Sequence, residues 1–115
     1  MRKILYSPGY GAGWSSWMNV PAYFACTYQP IIDALENKEL LLPENVDEDY
    51  AQITDYHPSV QSFIKECQEK YNKTPYLGSI KNLSIHYCDD NTLVSIKCFD
   101  GSESVKENMN REGFF

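Results

Sequence analysis

Gly9, Gly11 and Gly13 alternate with Tyr10 and Ala12, just after a short strand-like run at residues 2–6 and just before Trp14-Ser15-Ser16-Trp17. Glycine admits positive φ and lets another molecule approach the backbone closely. Such a loop can act as an anion cradle, its amides turned toward a phosphate. In that reading Tyr10 or Trp14 stacks on a base, and Arg2, Lys3 or Arg111 balances the charge. The spacing is not GxGxxG, and no GK[ST] follows. The same residues also read as a tight turn that packs Trp14 and Trp17 into the core.

Nucleophilic chemistry would have to pair Cys26, Cys67, Cys88, Cys98 or a serine with His57 or His86. The periodicity argues against it. Cys67 falls on the apolar face of a helix and Cys98 on the strand face of Val94 and Ile96, so both are expected to be buried and inert. His57 precedes Pro58 and suits a helix terminus. His86 points away from Leu83, Ile85 and Tyr87, toward an exposed sheet face, where Glu103, Ser102 and Ser104 would flank it only if register allows. No triad follows, and no catalytic residue is expected. No cysteine pair is spaced CxxC, so neither a metal nor a cofactor is expected. The cysteines are read as reduced core residues.

Charge is the second source of chemistry. The formal charge is −6, and it is concentrated. Residues 33–55 hold eight acids (Asp33, Glu36, Glu39, Glu44, Asp47, Glu48, Asp49 and Asp55) against Lys38 alone, a net −7. The rest of the chain is close to neutral. A phosphate backbone needs a basic surface, so sequence-independent nucleic-acid binding is excluded, while docking to a basic partner surface is favoured. The block reads either as a mimic of nucleic-acid charge, with Asp47, Glu48 and Asp49 at its centre, or as a solvated face and flexible linker. EF-hand spacing is absent.

These groups must be positioned by a small set of elements. Residues 2–6 predict a strand and residues 9–21 a loop. Ile31, Ile32 and Leu35 predict a helix that starts at Pro30 and runs to about Leu41, or starts near Ala22 with Pro30 as a kink. Asp33, Glu36 and Glu39 would share one side of it. Val60, Phe63, Ile64, Cys67 and Tyr71 mark a second helix from Pro58, closed by Asn72 and Pro75. From residue 76 the period becomes two: a strand through Leu83, Ile85 and Tyr87, a turn at Asp89-Asp90-Asn91, and a strand through Val94, Ile96 and Cys98. Asp100-Gly101 then makes a two-residue hairpin into a last strand. The predicted fold class is α+β: an N-terminal strand, then two helices packed on a C-terminal antiparallel β-meander, in a single domain spanning residues 1–115.

Aromatic residues make up 14% of the chain, with nine tyrosines, which suits either a contact surface or a tyrosine-rich core. No run approaches the roughly 20 apolar residues of a membrane span, and the N-terminus lacks a signal peptide's apolar stretch. The expected location is the cytoplasm, with no membrane partner. A homo-oligomer is compatible with these features.

Two segments, MRKILYSPGYGAGW at residues 1–14 and FDGSESV at residues 99–105, resemble small phage- and prophage-encoded accessory proteins of unassigned role. The resemblance covers about 21 residues directly and transfers no catalytic residue. It implies a non-enzymatic counter-defence protein in the host cell cytoplasm. Such a protein would inhibit a nucleic-acid-handling defence complex, such as a CRISPR effector, by occluding a basic groove. The acidic residues Asp47, Glu48 and Asp49 would supply charge, and Tyr10, Trp14 and Trp17 would anchor. The alternative is a binder that sequesters a nucleotide signal through Gly9, Tyr10, Gly11, Gly13, Trp14 and Arg111.

Overall fold

The computed structural model describes residues 1–108 and 115. The fold is α+β, with an N-terminal strand, helices, and C-terminal antiparallel strands. In chain order these are β1 (Arg2–Tyr6), α1 (Ala22–Cys26), α2 (Gln29–Glu36), α3 (Pro58–Tyr71), β2 (Ser84–Cys88), β3 (Leu93–Phe99) and β4 (Ser102–Asn108). Arg111 lies outside the described residues. Among the described residues, no helix is long and apolar enough to cross a membrane.

The predicted second helix forms as α3. Pro58 occupies its first turn, where a missing N–H costs nothing, and the Nδ1 of His57 accepts the Ser59 N–H at 3.1 Å as an N-cap. Asn72 ends it in the left-handed region at φ 53°, a conformation asparagine tolerates better than most residues. Val60, Phe63, Ile64 and Cys67 are buried as the spacing requires.

The first helical segment differs from both sequence readings. It divides into α1 and α2, because Pro30 would clash with the carbonyl of Cys26 in a continuous helix; the chain therefore extends at Tyr28 (ψ 104°) before turning again. α2 stops at Glu36, and Lys38 at φ 59° reverses the backbone. Glu39 therefore leaves the helix, so Asp33, Glu36 and Glu39 do not form one helical stripe.

The antiparallel strands form two two-stranded sheets. β2 pairs with β1, with Ile4 opposite His86 and Arg2 opposite Cys88, while β3 pairs with β4 and, at Val94, exchanges both backbone hydrogen bonds with Phe115 at 2.8 Å. Ile4 and Leu5 are fully buried, and a strand buried at that depth must find hydrogen-bond partners for its backbone; β2 supplies them, and the expected meander is divided between two sheets. The Asp100-Gly101 hairpin forms as predicted, with φ of 48° and 82°, the paired positive values of a type I′ turn.

Other elements reach both faces of the first sheet. On one, Lys3 and Tyr87 reach Glu36 of α2 at 2.8 and 3.1 Å. On the other, His86 meets Glu107 of β4 at 3.1 Å, and the Arg2 guanidinium donates to the carbonyls of Thr92 and Phe115. His86 thus faces the second sheet rather than an open surface. Cys98 is exposed, against expectation, because the face of β3 that begins at buried Val94 climbs out of the core toward the hairpin tip.

The core is aromatic at its centre. Trp14 stacks on Phe63 with centroids 5.2 Å apart, and Phe24 packs on Tyr28, Phe63 and Tyr71 at 5.3–5.6 Å. Each such pair contributes about 0.5–1.5 kcal/mol beyond its buried area.

Candidate functional site

The glycines themselves do not cradle an anion as expected, since the Gly11 N–H is spent on the Asp100 carbonyl; the amides that flank them, Ser7 on one side and Trp14 and Ser16 on the other, hold a carboxylate of the chain itself. Glu103 of β4 is 3% exposed and inserts between residues 7 and 16. Its Oε1 accepts the Ser7 N–H at 2.9 Å; its Oε2 accepts the Trp14 N–H at 2.8 Å, the Ser16 N–H at 3.1 Å and the Ser16 hydroxyl. The Glu103 N–H donates in turn to the Ser7 carbonyl at 2.7 Å. Around this centre the Gly11 N–H donates to the Asp100 carbonyl at 3.0 Å and the Ser102 hydroxyl to the Pro8 carbonyl at 2.9 Å. The hairpin and the loop are therefore one unit, so the resemblance segments at residues 1–14 and 99–105 meet in space.

Two glycines are required for that meeting. A Cβ on Gly13 would stand 2.8 Å from the Trp17 ring and 3.0 Å from Glu103 Oε2. A Cβ on Gly101 would stand 2.6 Å from the Ala12 nitrogen, at a φ of 82° that already disfavours a side chain. Gly9 is unconstrained in this way, its nearest neighbour being Asn82 at 3.8 Å.

The aromatics divide. Trp14 is fully buried, and its indole N–H donates to the Ala25 carbonyl at 2.8 Å, so it is a core residue and unavailable as an anchor or base-stacking surface. Tyr10 is 77% exposed. Trp17 is 43% exposed and lies against the half-exposed Tyr76, with centroids 5.7 Å apart. The cations assigned to charge balance are engaged elsewhere: Arg2 on two carbonyls and Lys3 on Glu36.

Residues 44–55 fold into an ordered loop rather than a free linker. The Lys81 ammonium donates to the carbonyls of Val46 at 2.6 Å and Glu44 at 3.3 Å, and lies 3.8 Å from the Glu48 carboxylate. Asp47 accepts the Asp49 N–H at 2.9 Å, and Gln52 and Asp55 cap the short turn Ile53–Asp55. Glu44, Asp47 and Asp49 are exposed, and so are two apolar side chains among them, Tyr50 at 80% and Ile53 at 55%. The turn Ile80–Asn82 lies near both regions, with Lys81 on the acidic loop and the Asn82 side chain facing the space beside Gly9.

Among the thiols, burial pushes Cys26 up to about 12 and Cys67 up to about 11, so both stay protonated at neutral pH. His57 is occupied as the α3 cap and sits 3.3 Å from Glu39. A groove of about 420 Å³ runs between α2 and β2, lined by Leu35, Glu36, Lys38, Leu83, Ile85 and Tyr87, away from the glycine loop. The expected donors, the amides of Gly9, Gly11 and Gly13, are not the ones that hold the carboxylate, and Glu103 is the residue that sequence reasoning misses. The only local signal for Glu103 was a carboxylate two residues after Asp100-Gly101, a position that turn chemistry explains equally well.

No protein-family model, curated protein or solved structure matches the chain.

Proposed function

We propose that the chain is a non-enzymatic binding protein that docks its acidic loop on the basic, nucleic-acid-contacting surface of a partner protein and so excludes the nucleic acid. The observation that carries this reading is the exposed set Glu44, Asp47, Asp49, Tyr50 and Ile53 on a loop whose backbone is held by Lys81. Carboxylates at a protein rim steer association and select partners by charge, while exposed aromatic and branched side chains supply the area that desolvates on contact. Pre-ordering the loop lowers the entropy lost on binding. Tyr10 and Trp17 are the aromatic anchors that remain accessible. The phage counter-defence role, with a CRISPR effector as an example of the target, draws its support from the resemblance of residues 1–14 and 99–105.

The nucleotide-sequestering alternative has less support. A phosphate at the glycine loop would compete with Glu103 for the amides of Ser7, Trp14 and Ser16, and Trp14 is not free to stack.

The test is displacement. Labelled DNA or RNA is bound to candidate defence effectors, and the chain is added at increasing concentration and at two ionic strengths. Release of nucleic acid that weakens with salt and is lost in the Asp47→Lys, Glu48→Lys, Asp49→Lys triple variant is expected. Binding to an effector that survives the triple reversal would overturn the acidic-loop reading.

A further inference from the structure

We infer that His86, Cys88 and Glu107 form a binding site for a single zinc-class divalent cation, which clips the two sheets together. The inference is independent of the acidic loop and its partner. Period two along β2 puts residues 86 and 88 on the same face of the strand, the face turned toward the second sheet, and β4 delivers Glu107 from the other side. The His86 ring nitrogen, the Cys88 Sγ and a Glu107 carboxylate oxygen all lie within 4.8 Å of one another. His86 Nε2 and Glu107 Oε1 are already 3.1 Å apart. Zinc bonds of about 2.0–2.2 Å to nitrogen and oxygen in a tetrahedron set a nitrogen–oxygen edge of roughly 3.3 Å, so that pair needs little adjustment. The Cys88 Sγ lies within 4.8 Å of both partners, close enough to complete the set.

The donor set selects the ion. A thiolate beside an imidazole and a carboxylate suits zinc, whereas magnesium and calcium prefer oxygen alone. One thiolate and one carboxylate neutralise a dication, which matters because Cys88 is buried. The side chains of His86 and Glu107 keep 29% and 50% exposure, so a fourth position can be taken by water. The placement has a structural consequence as well. Two-stranded sheets are marginal alone, and this cluster joins β2 of one sheet to β4 of the other.

The sequence pattern hides such a site. The ligands are spaced two and nineteen residues apart, unlike the CxxC pairs that mark zinc in a sequence.

The full chain, stripped of metal by chelator and kept reduced, is titrated with Co²⁺. One equivalent should produce a thiolate-to-cobalt charge-transfer band, and Zn²⁺ should abolish it by displacement. Cys88→Ser should remove the band, and Glu107→Gln, at an exposed position, should weaken Co²⁺ binding at least about tenfold, the loss that even outer-shell partners produce. Cys98→Ser, outside the cluster, should leave the titration unchanged. No charge-transfer band in the native chain, or a band lost in Cys98→Ser and kept in Cys88→Ser, would overturn the site. If Cys88→Ser fails to fold, the Glu107→Gln titration decides alone: unchanged affinity refutes the carboxylate ligand.

Discussion

Replacing Glu103 by glutamine or alanine removes the group that joins the glycine loop to the hairpin. Three backbone N–H groups and one hydroxyl donate to this carboxylate, and it is almost fully buried. A hydrogen bond to a charged group is worth about 1.5–3 kcal/mol net, so four would sum to roughly 6–12 kcal/mol, comparable to the whole stability of a domain of this size. The desolvation of the carboxylate offsets much of that sum. Removing the carboxylate leaves the N–H groups of Ser7, Trp14 and Ser16 without their acceptor, at about 1–3 kcal/mol for each that water cannot reach, so about 3–5 kcal/mol is the expected loss for Glu103→Ala. Glu103→Gln keeps one accepting oxygen but turns an amide N–H₂ toward a donor, and should lose roughly 2–3 kcal/mol. Against a total stability of about 5–15 kcal/mol, the alanine variant should melt roughly 10–25 °C lower. Urea unfolding gives the magnitude, and amide exchange gives the location, with protection at Ser7, Trp14 and Ser16 lost first. A double-mutant cycle with Ser16→Ala should return a coupling of about 1–2 kcal/mol. If Glu103→Gln unfolds within about 0.5 kcal/mol of the native chain and those three amides stay protected, the buried carboxylate does not hold the loop.

The glycines should separate by the same geometry. Gly13→Ala should destabilise by about 1–3 kcal/mol through overpacking, whereas Gly9→Ala, whose Cβ meets nothing nearer than 3.8 Å, should stay within about 0.5 kcal/mol in parallel melts. Stability should fall on the alkaline side. Burial raises Cys26 to about 12 and Cys67 to about 11, and burial with the Glu66 hydrogen bond raises Tyr28 to about 12. A raised folded-state value gives a contribution that is intact below the ordinary value and lost as pH rises through the folded one. Unfolding free energy should therefore decline from near pH 9 toward pH 12, less steeply in Cys26→Ala, and a flat profile would contradict it. On the acid side, the Tyr28 hydroxyl and Lys70 hold Glu66 below its usual carboxylate value. The advantage of the native chain over Tyr28→Phe should thus shrink as pH falls below about 4.5. Lys81→Met should cost no more than about 1 kcal/mol, since the ammonium is partly solvated, yet amide exchange across residues 44–50 should accelerate. Unchanged exchange there would mean that Lys81 does not order the acidic loop.

The helical face of α3 and the Asp100-Gly101 turn were legible because both are local. A 3.6-residue apolar period and a pair of residues suited to positive φ specify their structure within a few positions. The charge contrast between residues 33–55 and the rest of the chain was equally plain, since it needs only counting. Where local rules compete they were less informative. Pro30 reads as a breaker, and whether the chain kinks or splits there also depends on the packing of Tyr28 against Phe63 of α3, which is distant in sequence.

What the sequence by itself determined is the α+β class, the α3 and hairpin boundaries, and the acidic block as the dominant charge. Tertiary structure alone decided which strand pairs with β1, that Trp14 is core while Tyr10 is surface, and that His86, Cys88 and Glu107 converge. It also decided that the amides flanking the glycines hold Glu103, which lies 96 residues from Ser7 along the chain. The reason is physical. Backbone preferences and charge act over a few residues, whereas the partner of a buried amide or carboxylate is chosen by whatever the folded core brings within about 3 Å of it.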